Sequence, residues 1–380
     1  MPTKSIHFGS DNYAGAHPAV IDAIVRANSG HVPGYGDDPI TAELEARMRE
    51  IFGPETEIYP VFNGTGANVV SLQAMLPRWG AALITASAHV NTDENAAPER
   101  VAGIKLLPQR SGDGRFDPAQ IAPALADVMV PHSAEPLAVS FSNSTEFGTV
   151  HSLEQVAEIT STAHRHGLLV HCDGSRLANA AVALGTDLAT ITADVDVISF
   201  GATKLGALGA EMIVVRNPDA VRGIDRLRKI DLQLASKQRF LSAQLLALYG
   251  GELWRELAGN ANAQAARLAA ALREVPGVSL YAETEANAVF ATLPAGVADA
   301  VRERGWRFYD WPAEDAPGTV RLMTAWDTTD AAVDDLVTDI AEIVGADASV
   351  HETHPTATSS TLASAAIYDM TGGIVRVRAV

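Results

Sequence analysis

"LLVHCDGSR" (residues 168–176) and "VDVISFGATK" (residues 195–204) are two apolar runs that each end in small and polar residues. Short apolar runs bounded by turn residues have the signature of strands buried on both faces. Asp173 closes the first run and Lys204 follows the second, thirty-one residues later. That is about one strand–helix–strand unit, so parallel neighbours would carry both side chains to the same rim of one sheet. The alternation continues outward from this pair. "AALITAS", "GIKLLP", "LAVSFS" and "AEMIVV" read as further strands, and helical stretches such as "LEQVAEITSTAHRHG" and "SRLANAAVALG" lie between strands. The expectation is an α/β fold with a mostly parallel sheet covered on both faces and a ligand site at the carboxyl ends of its strands.

Composition narrows the function. The chain has 380 residues, 47% of them hydrophobic and 19% charged, with a formal net charge of −18. It carries no block of clustered Lys and Arg, which argues against a nucleic-acid partner. No window approaches the ~18 uninterrupted apolar residues of a membrane span, and "MPTKSIHFGSDN" lacks an apolar stretch of signal-peptide length. The single cysteine, Cys172, forms no intrachain disulfide and reads as a small core residue. The expectation is a cytoplasmic protein that works on small molecules.

Only five of the 28 basic residues are lysines: Lys4, Lys105, Lys204, Lys229 and Lys237. Lys204 sits alone among the small residues of "FGATKLGALGA". With Asp173 it would serve as a plain salt bridge, or as the two ends of a pyridoxal 5'-phosphate site. That cofactor needs a lysine amine to form a Schiff base with its aldehyde, and a carboxylate to keep its pyridine nitrogen protonated. Its phosphate needs a cradle. "NGTGANV" (residues 63–69) is an ordinary tight turn, or a loop in which Gly64 and Gly66 let backbone N–H groups converge and Thr65 offers a hydroxyl, at a helix N-terminus that suits an anion. It lacks the spacings of dinucleotide and nucleoside-triphosphate loops. His89, just past "ALITAS", is a capping or surface residue, or a ring that stacks on a flat cofactor. Arg176 and Arg321 are candidates to hold an amino-acid carboxylate.

The expected organisation is a large domain over residues 1–250, a smaller α/β domain over 251–345, and an extension over 346–380. The extension, "ADASVHETHPTATSSTLASAAIYDM" and a strand-like "GIVRVRAV", carries no recognisable chemistry. Between Asp219 and about Leu272 the pattern reads as continuously helical.

"GSDNYAGAHPAV", "PGYGDDPITAELE", "NGTGANV", "SAHVNTDENAAPE", "STEFGTVHS", "HCDGSRLANA", "SFGATKLGALGAE" and "VRLMTAWDTTDAAVDDL" occur in one order along the chain. In this the sequence resembles low-specificity L-threonine aldolases of the β-eliminating lyase group, with phenylserine aldolases among the relatives, over about residues 5–345. The resemblance implies the aspartate aminotransferase-like fold (fold type I) and retro-aldol cleavage of β-hydroxy-α-amino acids to glycine and an aldehyde. It implies that Lys204 holds the cofactor covalently, Asp173 pairs with the ring nitrogen and His89 stacks on the ring. Gly64 and Thr65 would hold the phosphate, and Ser10, Arg176 and Arg321 the substrate carboxylate. His132 would be a second active-site histidine. Lys229, with Lys237 sharing the task, would reach the phosphate of a neighbouring subunit's site in a homodimer or homotetramer, and Tyr35 would belong to that neighbouring site or be a plain turn residue. An aminotransferase, another β-eliminating lyase and a non-catalytic cofactor-binding protein would share the same lysine, aspartate and loop. No metal ligand set is expected.

Overall fold

The computed structural model describes residues 4–313 and 315–353. Residues 4–344 form one compact unit carrying two sheets, and a second unit begins at Gly345. The tail from residue 354, including "GIVRVRAV", lies outside the described residues.

The larger sheet has seven strands: β1 (Glu57–Val61), β2 (Gly80–Thr85), β3 (Lys105–Gln109), β4 (Glu135–Ser142), β5 (Leu169–Gly174), β6 (Val197–Phe200) and β7 (Glu211–Val215). Their order is β1-β7-β6-β5-β4-β2-β3, and β7 alone runs against its neighbours. β2, β6 and β7 are buried along their whole length, because helices cover both faces. Leu44, Met48, Ile159, Leu245 and Leu248 belong to the core on one face, Val69, Val70, Leu72 and Ile224 to the core on the other.

Local sequence accounts for the helices. Leu153–Arg165 starts at a reciprocal cap between Ser152 and Gln155 and buries Val156, Ile159, Thr160 and Ala163 along one stripe. Gly64–Met75 is different: nearly every residue from Gly66 onward is buried, so this helix is core all round.

The smaller sheet is antiparallel, with order β10-β11-β9-β8, and comprises β8 (Ser279–Leu280), β9 (Ala288–Thr292), β10 (Tyr309–Asp310) and β11 (Thr319–Met323). Its core takes Leu268 and Leu272 from the helix Leu253–Arg273, Val333, Leu336 and Ile340 from the helix Asp330–Thr353, and also Phe8. The Phe8 N–H donates to Arg307 O (2.9 Å), and the Met323 N–H donates to Phe8 O (2.8 Å). The segment around Phe8 thus packs with the smaller sheet.

The helical run expected from Asp219 to Leu272 is broken. Helices Ile224–Ile230 and Arg239–Tyr249 are separated by a loop, residues 231–238, in which Leu232 has φ 63°. The break is held by contacts distant in sequence: Gln233 Oε1 accepts the Phe62 N–H at 3.0 Å, and Ser236 O accepts that of Tyr35 at 3.1 Å.

Candidate active site

β5 and β6 are adjacent and parallel, with Asp173 opposite Ser199 and Gly174 opposite Phe200. Asp173 therefore stands at the carboxyl rim. The chain leaving β6 turns through Gly201, where an added Cβ would lie 2.3 Å from Ser175 O. It then enters the single 3-10 turn Thr203–Leu205 that carries Lys204. Buried Glu211 on β7 supports this turn, accepting the N–H groups of Ala202 (2.7 Å) and Thr203 (3.3 Å). Burial raises Glu211 to a pKa of about 7.

Lys204 makes no hydrogen bond or ion pair among the described residues. Burial, then the guanidinium of Arg176, lowers its pKa, and the carboxylates of Asp11, Asp173 and Glu211 only partly offset this. The result is an amine biased toward its neutral, nucleophilic form.

Asp173 is pulled the other way. Burial pushes its pKa up, but Lys204, His89 and its hydrogen bonds more than compensate and hold it below the ordinary carboxylate value. Its Oδ1 accepts from the Ser175 N–H (3.0 Å) and Oγ (2.8 Å), and its Oδ2 from Asn68 Nδ2 (3.0 Å). Asn68 Nδ2 also donates to Glu94 Oε1 at 2.9 Å, and Glu94 Oε1 lies 2.9 Å from His89 Nδ1. Asp173, Asn68, Glu94 and His89 thus form one chain of polar contacts. The hydrogen bond to Glu94 raises the His89 pKa, outweighing burial. Glu94 is buried, whereas the His89 side chain is 42% exposed and so has a face free.

Asn63 caps the helix Gly64–Met75 and uses its side chain on the Gly66 N–H at 2.7 Å. The N–H groups of Gly64 and Thr65 remain without a partner among the described residues. Two free donors at the positive end of a helix suit an anion. A Cβ on Gly66 would fall within 2.5 Å of the Gln233 carboxamide, so the 231–238 loop closes over this helix start.

Across the rim, Arg176 is largely engaged. Its Nε donates to Asp11 Oδ2 (2.6 Å) and its Nη2 to Asp11 Oδ1 (2.9 Å), while Asn287 Nδ2 reaches the same Oδ2 at 3.1 Å. Asp11 takes the paired face of Arg176 and leaves Nη1. Arg321 is freer. Its Nη2 touches Gly9 O at 3.4 Å, its Nε is buried and unpartnered, and its guanidinium lies 5.5 Å from the Tyr309 ring and 6.0 Å from that of Trp311. Ser10 follows Gly9 directly and caps the turn Asp11–Tyr13, its Oγ accepting the Asn12 N–H.

Within this chain His132 is exposed and precedes β4, which begins at Glu135 and pairs with Asp173 only at its far end, Ser142. What the β4 rim contributes instead is Glu146, whose Oε1 accepts from Ser142 Oγ (2.7 Å) and the His89 N–H (3.0 Å). Tyr35 and Lys229 meet one another, the Lys229 Nζ lying 4.8 Å from the Tyr35 ring. Both are exposed, and neither contacts Lys204 or Asp173; Lys237 is exposed nearby.

Asp11, Asn68, Glu94, Glu146 and Asn287 were missed in the sequence. Asp11, Asn68, Glu94 and Glu146 all lie inside the motifs quoted above, beside the residues singled out there; only Asn287 lies outside them. The residues present fit pyridoxal phosphate: an unpaired amine of lowered pKa, a carboxylate held below its ordinary pKa on the neighbouring strand, a partly exposed ring and a pair of helix N–H donors without a protein partner among the described residues.

The β-eliminating lyase family model matches residues 7–295. The chain is 38% identical to a low specificity L-threonine aldolase of Pseudomonas aeruginosa over 91% of its own length and the whole of that protein. It is 26% identical to one of Saccharomyces cerevisiae, covering 76% of this chain and 74% of the yeast protein. The solved structure of Leishmania major threonine aldolase superposes with a TM-score of 0.84 at 29% identity, covering 89% of this chain and 99% of that one. The chain belongs to the β-eliminating lyase family. It is a lyase with the fold expected of that group. Among the described residues no helix is long and apolar enough to cross a membrane.

Proposed function

We propose that this chain binds pyridoxal 5'-phosphate and cleaves L-threonine, L-allo-threonine and related β-hydroxy-α-amino acids, phenylserine included, to glycine and an aldehyde. The observation that carries the reading is the unpartnered Lys204 amine beside the ionised Asp173 carboxylate on adjacent strand ends. That its relatives are L-threonine aldolases favours threonine among amino-acid substrates.

Lys204 supplies the amine that holds the cofactor, Asp173 the carboxylate for its ring nitrogen, His89 a face for its ring, and Gly64 and Thr65 the donors for its phosphate. When bound, the cofactor supplies an electron sink for the pair released as the Cα–Cβ bond breaks. Arg321, with Nη1 of Arg176, fixes the substrate carboxylate and so chooses which bond at Cα is oriented for cleavage. Asp11 and Asn287 hold Arg176 still. The active form is a homodimer or homotetramer in the cytoplasm, in which Tyr35 and Lys229 serve a neighbour's site. Exposed Phe62, Ile230 and Leu232, near that pair in sequence or contact, support an apolar contact with a second copy.

The test is to incubate the protein with L-threonine and, separately, L-3-phenylserine, and to assay acetaldehyde, benzaldehyde and glycine. Aldehyde and glycine in equal amounts support the reading. Cofactor absorbance without aldehyde from either substrate would leave a cofactor-binding protein of another activity, an aminotransferase being the next to assay.

A further inference from the structure

Glu146 occupies a position that the site has not yet used. Its Oε1 is fixed by Ser142 Oγ and the His89 N–H, whereas its Oε2 is buried without a partner. The next residue, Phe147, packs its ring 5.3 Å from Trp311, and Trp311 in turn lies 6.0 Å from the Arg321 guanidinium. Glu146 therefore stands between His89, on the cofactor side, and the aromatic wall of the arginine that takes the carboxylate. A β-hydroxy-α-amino acid held at both places has its β-carbon in between.

We propose that Glu146 is the group that exchanges the β-hydroxyl proton in the reaction, an inference that rests on the aldolase reading above. As the bond breaks, the O–H electron pair becomes the second bond of the aldehyde carbonyl, the Cα–Cβ pair stays with Cα, and the proton passes to Oε2. Cα then takes one proton to become glycine, so protons balance over the cycle. Burial, with a further push from Asp173, raises the carboxyl's proton affinity, which suits a group that must both accept and release a proton near neutrality.

Glu146→Gln tests this, because the amide oxygen still accepts from Ser142 and His89 while its NH2 accepts nothing. The expected result is a fall in kcat for L-threonine of about 10²-fold or more. Affinity for pyridoxal phosphate, followed by absorbance on titrating the cofactor-free chain, should stay within about threefold, and the exchange of the glycine α-proton in deuterated water should persist, because neither involves a β-hydroxyl. Glu146→Ala should lose the same activity and regain part of it with added formate. Three outcomes overturn the inference: kcat within about threefold of the parent in Glu146→Gln, loss of cofactor affinity in step with kcat, or no rescue of Glu146→Ala by formate. Absence of aldehyde from the parent protein is a different result, and would overturn the aldolase reading itself together with this inference.

Discussion

Arg176 and Asp11, 165 residues apart, form a two-pronged buried ion pair with contacts of 2.6 and 2.9 Å. Burial raises the proton affinity of Asp11, but the guanidinium more than compensates and holds the carboxyl below its ordinary pKa. The pair belongs to the site yet spends itself internally, which leaves Arg321 as the freer cation for a substrate carboxylate.

Replacing Asp11 by Asn keeps the size but strands the guanidinium. Breaking a buried pair from one side costs about 3–5 kcal/mol, because the remaining charge has no compensation. Asp11→Asn is expected to lower unfolding free energy by that order in a denaturant titration and to raise KM for the amino acid. Unchanged stability would mean that Asn287 and solvent suffice for Arg176.

Glu94 is the principal reason that His89 binds its proton more tightly than a free histidine. Glu94→Gln removes the charge and keeps the shape. The His89 imidazole, followed by NMR across pH 5–9, is expected to titrate at lower pH than in the parent. A midpoint that does not move would assign the shift to Asp173.

Glu211 gives a pH dependence with a definite sign. Its pKa is raised from 4.5 to about 7 in the folded chain. Between those values the native state holds a proton that the unfolded chain has lost, so the stability it lends is complete at low pH and disappears as pH rises through about 7. At 1.36 kcal/mol per pKa unit the difference is on the order of 3 kcal/mol. Glu211→Gln, which keeps an oxygen for the Ala202 N–H, is expected to flatten the stability of the cofactor-free chain between pH 5 and 7.5 in urea titrations. An equal slope in parent and variant would remove Glu211 as its source.

Two glycines meet different obstacles. A methyl at Gly201 would lie 2.3 Å from the Ser175 carbonyl, which is backbone and bears on both Asp173 and Lys204; one at Gly66 would meet only the end of the Gln233 side chain. Gly201→Ala is expected to cost about 1–3 kcal/mol and to weaken cofactor absorbance. Gly66→Ala should be milder if Gln233 swings aside. Equal melting temperatures for the two variants would contradict this ordering.

Lys204, Asp173 and the Gly64–Thr65 loop were legible because each sits at the end of a strand or the start of a helix, and one repeat of the alternation relates the first two. Motif order along the chain does not say at which end of a strand a residue lies: within this chain His132 precedes β4, which starts only at Glu135. The partners were illegible because they come from afar. Asn68 reaches Asp173 across 105 residues, and Glu146 meets His89 across 57. No local pattern encodes which loops converge on one rim. The break at residues 231–238 was hidden likewise, since its contacts are with Phe62 and Tyr35 rather than with its own flanks.

Phe8, bonded to Arg307 and Met323, has a consequence for how the molecule is made on the ribosome. The segment around Phe8 has nowhere to dock until β11 and the segment before β10 have been translated, since its seat is built from them. Asp11, three positions further on, waits with it. The seven-stranded sheet can assemble as it is synthesised, but Arg176 receives its counter-ion only once that seat has been made, so a nascent chain stalled before residue 307 would carry Lys204 and Asp173 without a finished carboxylate pocket.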